Sequence, residues 1–487
     1  MKGASLSVAV ATALVSSVQS LRYEKRENPK AIHLPVERQL PSLEKREEMR
    51  QRRWNRLGKR QKTVSETLDN FENGSLYFAN VTMGTPAQNL RFHVDTGSSD
   101  LWTNSATSSF CQQSDQQFAR EGNDPCSVSG TYNANDSSTY SYVNSEFYIA
   151  YADTTGAAGD YATDTLRFGN TDVTSQQFGI GYQSNSSEGV MGIGYPNLEV
   201  AVQYDRGQSY NNIPQNMAKQ GLINTPSYSL WLDSLDSATG NILFGGVDTS
   251  KFTGSLTTVP ILKEQNEYLE MIVGLSGISV SNNGQNTTID SNAIPVLLDS
   301  GSTLMYLPSA LAQQIYTAVG ATYDNRDGVP FVSCSLAQNT NIYLDFNFSG
   351  QTIRLDMSQL VIQQGATLCY LGIIPQASSS TYTLGDTFIR NAYIVYDLDA
   401  NTISLAQTNF DAGSSDIHEI QSGSGGVPSA TVAANPATPA VGGKGQAYNG
   451  GLPSGALSST GLAAHATPAP AVWGAAALGA GMMMAAM

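Results

Sequence analysis

The stretch FHVDTGSSDLW, residues 92–102, sets an acid between an apolar, strand-like run and a Thr-Gly-Ser-Ser turn, then returns to large apolar side chains. Alone, Asp-Thr-Gly is ordinary turn chemistry. At residues 294–308, however, IPVLLDSGSTLMYLP repeats the order: apolar residues, Asp, Thr or Ser, Gly, Ser. The two acids are Asp95 and Asp299. Each is followed by a second repeated feature, VMGIG at 190–194 and TLGDTF at 383–388, so that Gly192 and Gly385 come 97 and 86 positions after their acids. Two turn-capping aspartates explain each motif singly but not the paired order. The chain reads as two related lobes, each presenting one acid.

That symmetry has a chemical use. Two carboxyls held at one site cannot both ionise easily, so they share a proton and titrate apart. The ionised member takes a proton from water while the protonated member hydrogen-bonds a substrate carbonyl, which is general acid/base catalysis with no covalent nucleophile. Gly97 and Gly301 allow tight turns where a side chain would collide across the lobe interface. The hydroxyls of Ser98 and Ser302 are suited to orient the acids, and those of Thr96 and Ser300 to bond across the interface. No metal or organic cofactor is required.

The rest of the chain frames this pair. Its 487 residues are enough for more than one core, 40% are apolar and 14% charged, and 45 glycines point to many turns. Short runs such as SLYFANVTMG, NLRFHVD, EFYIAYAD, NILFGGVD and AYIVYDLD, separated by Asn, Asp, Ser and Gly, predict a mainly β body over 71–410. PQNMAKQGL (214–222) and SALAQQIYTAVG (309–320) are the best helical patterns. The net charge of −15 hides an asymmetry: residues 21–62 carry +8 and residues 63–487 carry −24. A body this acidic repels phosphate backbones, which argues against nucleic acid as a partner.

MKGASLSVAVATALVSSVQS, residues 1–20, fits a secretory signal better than a membrane anchor, which needs a longer apolar run. Residues 21–60 are charged and carry basic pairs; they read either as a solvated arm or as a propeptide cut after Lys59-Arg60, its cations covering the acidic cleft until removal. Secretion makes two local disulfides, Cys111–Cys126 and Cys334–Cys369, the simplest use of the four cysteines. Six sequons, at Asn73, Asn80, Asn135, Asn185, Asn286 and Asn347, are candidate glycan sites. Residues 411–450 are rich in Gly, Ser, Ala and Pro and predict a flexible spacer. The segment 451–487 ends in AVWGAAALGAGMMMAAM. It is short for a membrane span, and small residues at Asn449–Gly451 or Ser454–Ala456 ahead of an apolar tail fit a GPI-attachment signal.

At these motifs the chain resembles the pepsin-type aspartic endopeptidases over about residues 75–408. The resemblance implies a bilobal β fold, with lobes near 71–230 and 231–410, a cleft between them and Asp95 and Asp299 as the catalytic dyad. It implies that residues 147–169 form a flap, with Tyr151 closing over substrate and Trp102 packing behind it; the alternative for Tyr151 is a plain strand aromatic. Ala152 and Thr154 depart from the pattern, occupying positions where many relatives carry Gly. The basic propeptide, the disulfide-bounded loop and the tail are similar to those of the yapsin group of GPI-anchored fungal surface proteases. That similarity implies polypeptide substrates, a plasma-membrane location facing outward, and a monomer that becomes two-chain if the 111–126 loop is nicked. Cleavage after Lys or Arg is the implied preference, with Asp153 and Asp100 as acids near the cleft, against a broader hydrophobic taste. Other enzyme classes lack their motifs: there are four His, no serine elbow and no phosphate loop. A non-catalytic surface binding protein on the same fold is the rival of another class; it predicts a damaged dyad, and both motifs are intact.

Overall fold

A computed structural model describes residues 30–38, 76–112, 125–204, 208–237, 239–364, 367–377, 379 and 381–441. The expected signal, the Arg60 cut, Asn73, the interior of the 111–126 loop and the terminal tail lie outside them.

The molecule is mainly β, and the two acid motifs are built alike. In the first lobe the strand Gln88–Asp95 buries Leu90, Phe92 and Val94 on one face, following its period-two pattern. It runs parallel to Gly189–Gly192, with Asp95 opposite Gly192, and Leu101–Asn104 returns antiparallel to that strand. In the second lobe Ile294–Leu298 runs parallel to Tyr382–Leu384, and Met305–Pro308 returns antiparallel. Each acid therefore stands at the end of a central strand, at the mouth of a loop that doubles back across a parallel neighbour.

One fourteen-stranded sheet spans both lobes. Its middle strands Ser227–Trp231 and Ala392–Asp397 are buried at every position, the second as an apolar run closed by Asp397 and the first with two serines among its buried side chains. The hairpin Ser141–Ala150 with Gly156–Phe168, where the flap is expected, extends one end of this sheet. Four smaller sheets are seen among the described residues of the second lobe and the segment that follows it, one of them pinned by Cys334–Cys369. Cys111–Cys126 closes the other disulfide. Both helical patterns are helices, Ile213–Lys219 and Ser309–Val319, the second ended by Gly320 at φ +75°.

Two segments differ from the sequence reading. Within the charged segment 21–60, Ile32–Arg38 is a strand of the large sheet, paired with Thr239–Phe244 on one side and Tyr77–Met83 on the other. Ile32, Leu34, Val36 and Arg38 are buried, so this part is neither a solvated arm nor a cover laid over the cleft. The expected spacer is likewise ordered through residue 441. Ile417–Glu419 pairs with Gly246–Asp248, Ala430–Val432 lies parallel to Leu256–Thr258, and the Ala437 N–H donates to Ser349 Oγ at 2.8 Å. Backbone pairing does not depend on apolar composition; Ile420 and Val427 suffice as anchors, packing with Val247, Leu256 and Tyr393. Small residues then help the strap lie close. A Cβ on Gly274 would meet the Ala437 carbonyl.

Candidate active site

Asp95 and Asp299 meet at the seam between the lobes, both almost wholly buried, and their carboxyls hydrogen-bond one another. Their surroundings match. Asp95 accepts the Gly97 N–H at 2.8 Å and the Ser98 hydroxyl at 2.5 Å; Asp299 accepts the Gly301 N–H at 2.8 Å and the Ser302 hydroxyl at 2.7 Å. Gly97 and Gly301 are obligatory because each backbone crowds the opposite acid: a Cβ on Gly97 would lie 2.5 Å from Asp299 Oδ1, and one on Gly301 would strike the Asp95 carboxyl. Thr96 and Ser300 face one another directly beneath the pair.

Burial raises the pKa of both acids. For Asp299 the negative charge of Asp95 adds to burial, whereas hydrogen bonds from Ser98, Asp299 and Gly97 hold Asp95 back. The pair thus retains one proton over a wide range, with an ionised and a neutral carboxyl side by side. His93, two residues ahead of Asp95, is half-buried, lies 5.7 Å from the Phe78 ring and is pushed down to about 4 by burial, so it is a neutral packing residue.

The flap residues meet in one aromatic cluster. Trp102 Nε1 donates to the Tyr151 hydroxyl at 2.8 Å, and Trp102 packs against Phe147 and, through it, Tyr161. Burial first, then the charge of Asp95, raises the Tyr151 phenol well above its usual range, so it stays a neutral hydrogen-bonding group. Asp153 sits in the turn, where Oδ1 accepts the Thr155 N–H at 2.8 Å and its hydroxyl at 2.6 Å. Thr154 takes φ +73°, the left-handed conformation that Gly adopts freely.

Asp100 is not a cleft acid. It is 1% exposed and accepts from Tyr161 Oη (2.7 Å), Tyr210 Oη (2.9 Å) and the Val200 N–H (2.8 Å), which ties the Asp95 loop to the strand Gly156–Phe168. Adjacency to the motif gave its position but not its direction. Among the candidate glycan sites, Asn80, Asn135 and Asn286 are exposed and Asn347 half-buried; the amide of Asn185 is engaged by the turn after Ala150.

The sequence reading missed a polar cluster beneath the dyad. Asp386 is wholly buried, and neither carboxyl oxygen has a hydrogen-bond partner among the described residues. Burial raises its pKa well above the normal range; the charges of Arg390 and Arg38 oppose that shift, and those of Asp299 and Asp95 add to it. Tyr77 shares the pocket and is pushed up to about 12 by burial, again opposed by Arg390 and Arg38. The signal was present in GDTFIR, an acid four residues ahead of a base.

The eukaryotic aspartyl protease family model matches residues 76–408. A protein named probable aspartic-type endopeptidase opsB from Aspergillus fumigatus is 47% identical over 436 residues, covering 88% of this chain and 86% of that one. Aspartic proteinase yapsin-3 of Saccharomyces cerevisiae is 36% identical over 360 residues, covering 72% and 69%. Among solved structures, the aspartic proteinase from Irpex lacteus superposes with a TM-score of 0.55 at 24% identity, over 70% of this chain and 96% of that one, and shares its fold. The chain belongs to the eukaryotic aspartyl protease family, on its yapsin-like side, and is an aspartic-type endopeptidase.

Proposed function

We propose that Asp95 and Asp299 are the catalytic dyad and that the enzyme works at acidic pH, where the pair holds one proton. Water lies between them; the ionised carboxyl takes one of its protons while its oxygen attacks the scissile carbonyl carbon, and the neutral carboxyl gives its proton to the carbonyl oxygen. Proton transfer to the leaving nitrogen then lets the C–N bond break and returns the pair to its starting state. The observation that carries this reading is the buried, hydrogen-bonded carboxyl pair with its matching Gly and Ser donors. An unstructured protein assayed at about pH 4 tests it: Asp95→Asn and Asp299→Asn should each be silent, since one carboxyl cannot play both roles. Retained cleavage would sink the assignment.

Tyr151 and Asp153 in this reading cover bound substrate, with Trp102 behind them. A preference for Lys or Arg before the scissile bond would draw on Asp153, the acid in the turn of the hairpin that carries Tyr151. A mixed peptide library decides this; equal cutting after Leu and Lys would remove the preference. We also propose secretion, removal of the segment through Arg60 and retention at the outer cell surface by a GPI anchor, supported by the composition of both ends. Release by a phosphatidylinositol-specific phospholipase is the check on the anchor.

A further inference from the structure

We propose that Asn185 is a positioning residue for the flap, holding the turn that carries Tyr151 in its closed-ready shape. The inference rests on reading that hairpin as the cover of the dyad. Asn185 follows the strand Thr171–Ser184 and reaches the turn with both ends of its amide: Oδ1 accepts the Gly156 N–H at 2.8 Å, and Nδ2 donates to the Thr154 carbonyl at 2.9 Å. Only one orientation of the amide satisfies a donor and an acceptor in these positions. Its own N–H donates to the Gly156 carbonyl at 3.3 Å.

The turn needs such an anchor. Thr154 is a β-branched residue at φ +73°, a conformation such residues avoid, and strain of this kind persists only where the surroundings impose it. The turn's own bonds run from the Tyr151 N–H to the Thr155 carbonyl (2.8 Å) and from the Thr154 N–H to the Tyr151 carbonyl (3.0 Å). Fixing Thr154 and Gly156 from outside therefore fixes the backbone of Tyr151, whose phenol is already held by Trp102. The anchor is itself braced, because Asn104 Nδ2, on the strand that leaves the Asp95 loop, donates to the Ser186 carbonyl at 3.0 Å. A chain with Gly at 154 would relax into this turn unaided; this chain replaces that freedom with a clamp.

Asn185 also begins the sequon Asn185-Ser186-Ser187, so the test separates the amide from a glycan on it. Asn185→Ala should lower kcat/KM about fivefold or more through a flap that closes poorly, with the melting temperature little changed. Ser187→Ala removes the sequon but keeps the amide and should behave as the parent. Thr154→Gly, placed in the Asn185→Ala background, should restore most of the loss because the turn no longer needs holding; a residue important only to folding would gain no such rescue. An Asn185→Ala enzyme equal to the parent, a Ser187→Ala enzyme as poor as Asn185→Ala, or a failed rescue would each overturn the proposal. If Asn185→Ala does not accumulate, Asn185→Asp, which keeps the acceptor and loses the donor, takes its place in the same comparison. Asp95→Asn is assayed alongside. Activity there overturns the dyad and the flap's purpose together, whereas a silent Asp95→Asn with an unaffected Asn185→Ala overturns the anchor alone.

Discussion

Thr96 and Ser300 exchange hydrogen bonds across the seam: the Ser300 N–H donates to Thr96 Oγ1 at 3.0 Å, and the Thr96 N–H donates to Ser300 Oγ at 3.2 Å. Each hydroxyl then donates to the carbonyl just ahead of the opposite acid, Thr96 to Leu298 at 2.9 Å and Ser300 to Val94 at 3.0 Å. The distance between the carboxyls is thus set by backbone-to-hydroxyl bonds buried from water. Thr96→Val keeps the shape but removes one donor and one acceptor; we expect a loss of about 2–3 kcal/mol, since buried partners are left unsatisfied. Steady-state kinetics should show kcat falling more than KM rises, and a denaturant midpoint gives the stability change. An unchanged midpoint would show that the lobes are registered elsewhere.

Arg390 stands in the buried polar cluster beneath the two acids. It is fully buried beside Asp386, whose charge it opposes, and it lies one turn along the same short helix. Removing the cation takes from Asp386, a buried carboxyl with no hydrogen-bond partner among the described residues, its main opposing charge. A buried polar group left unsatisfied costs about 1–3 kcal/mol, so Arg390→Met should melt below the parent. The double change Arg390→Met with Asp386→Leu removes both polar groups and should recover a large part of that loss. Failure to recover would mean that Arg390 serves through its contacts with Tyr77 and the Gln359 carbonyl instead.

How legible all this was depended on which signals are local. The facing carboxyls and their Gly-Ser followers were readable because the same residue types recur at the same offsets, twice. Asp100 was misjudged because sequence gives the neighbourhood of a side chain but not its direction; Tyr161 and Tyr210, 61 and 110 positions away, decide that. The Ile32–Arg38 strand did carry a period-two signal, IHLPVER with Ile, Leu and Val alternating, but it is short and set within a segment whose dominant pattern is charge. The strap after residue 410 was hidden for another reason. Its order comes mainly from backbone pairing to partners about 170 residues earlier, for which a Gly/Ser/Pro composition leaves no trace.

Buried acids also set the response to pH. Burial raises Asp397 from 3.8 to about 6 and, helped by the charge of Asp100, Glu199 from 4.5 to about 10; Asp299 and Asp386 move the same way. A raised carboxyl binds its proton more tightly in the folded chain than in the unfolded one. Its stabilisation is therefore complete below the unfolded value and is lost as pH climbs through the folded one. Asp248 runs the other way: burial would raise it, but donors from Asp416, Ser250 and Ser415 leave it lowered. The raised group outnumbers it, so the melting temperature should fall steadily from about pH 4 to pH 7, through all of these acids together until Asp397 ionises near 6 and through the more deeply shifted ones beyond it. A fold more stable at neutral pH would contradict the assignment of these residues as neutral in the native state.

The strap makes the last prediction, because its composition and its structure point in opposite directions. A spacer over 411–450 would contribute nothing to stability, and a chain ended at residue 410 would melt like one ended at 441. The structure predicts otherwise. Ile420 is 0% exposed and Val427 6%, and each such side chain is worth about 1.5–3 kcal/mol when buried. Their loss also uncovers Val247, Leu256 and Tyr393 and frees the edges of Gly246–Asp248 and Leu256–Thr258. The chain ended at 410 should therefore lose several kcal/mol, or fail to fold, while the chain ended at 441 matches the parent. Ile420→Ala in the full chain isolates the anchor from the backbone pairing and should cost about 2–4 kcal/mol by itself. Equal melting of all these forms would return the segment to the role its composition suggests.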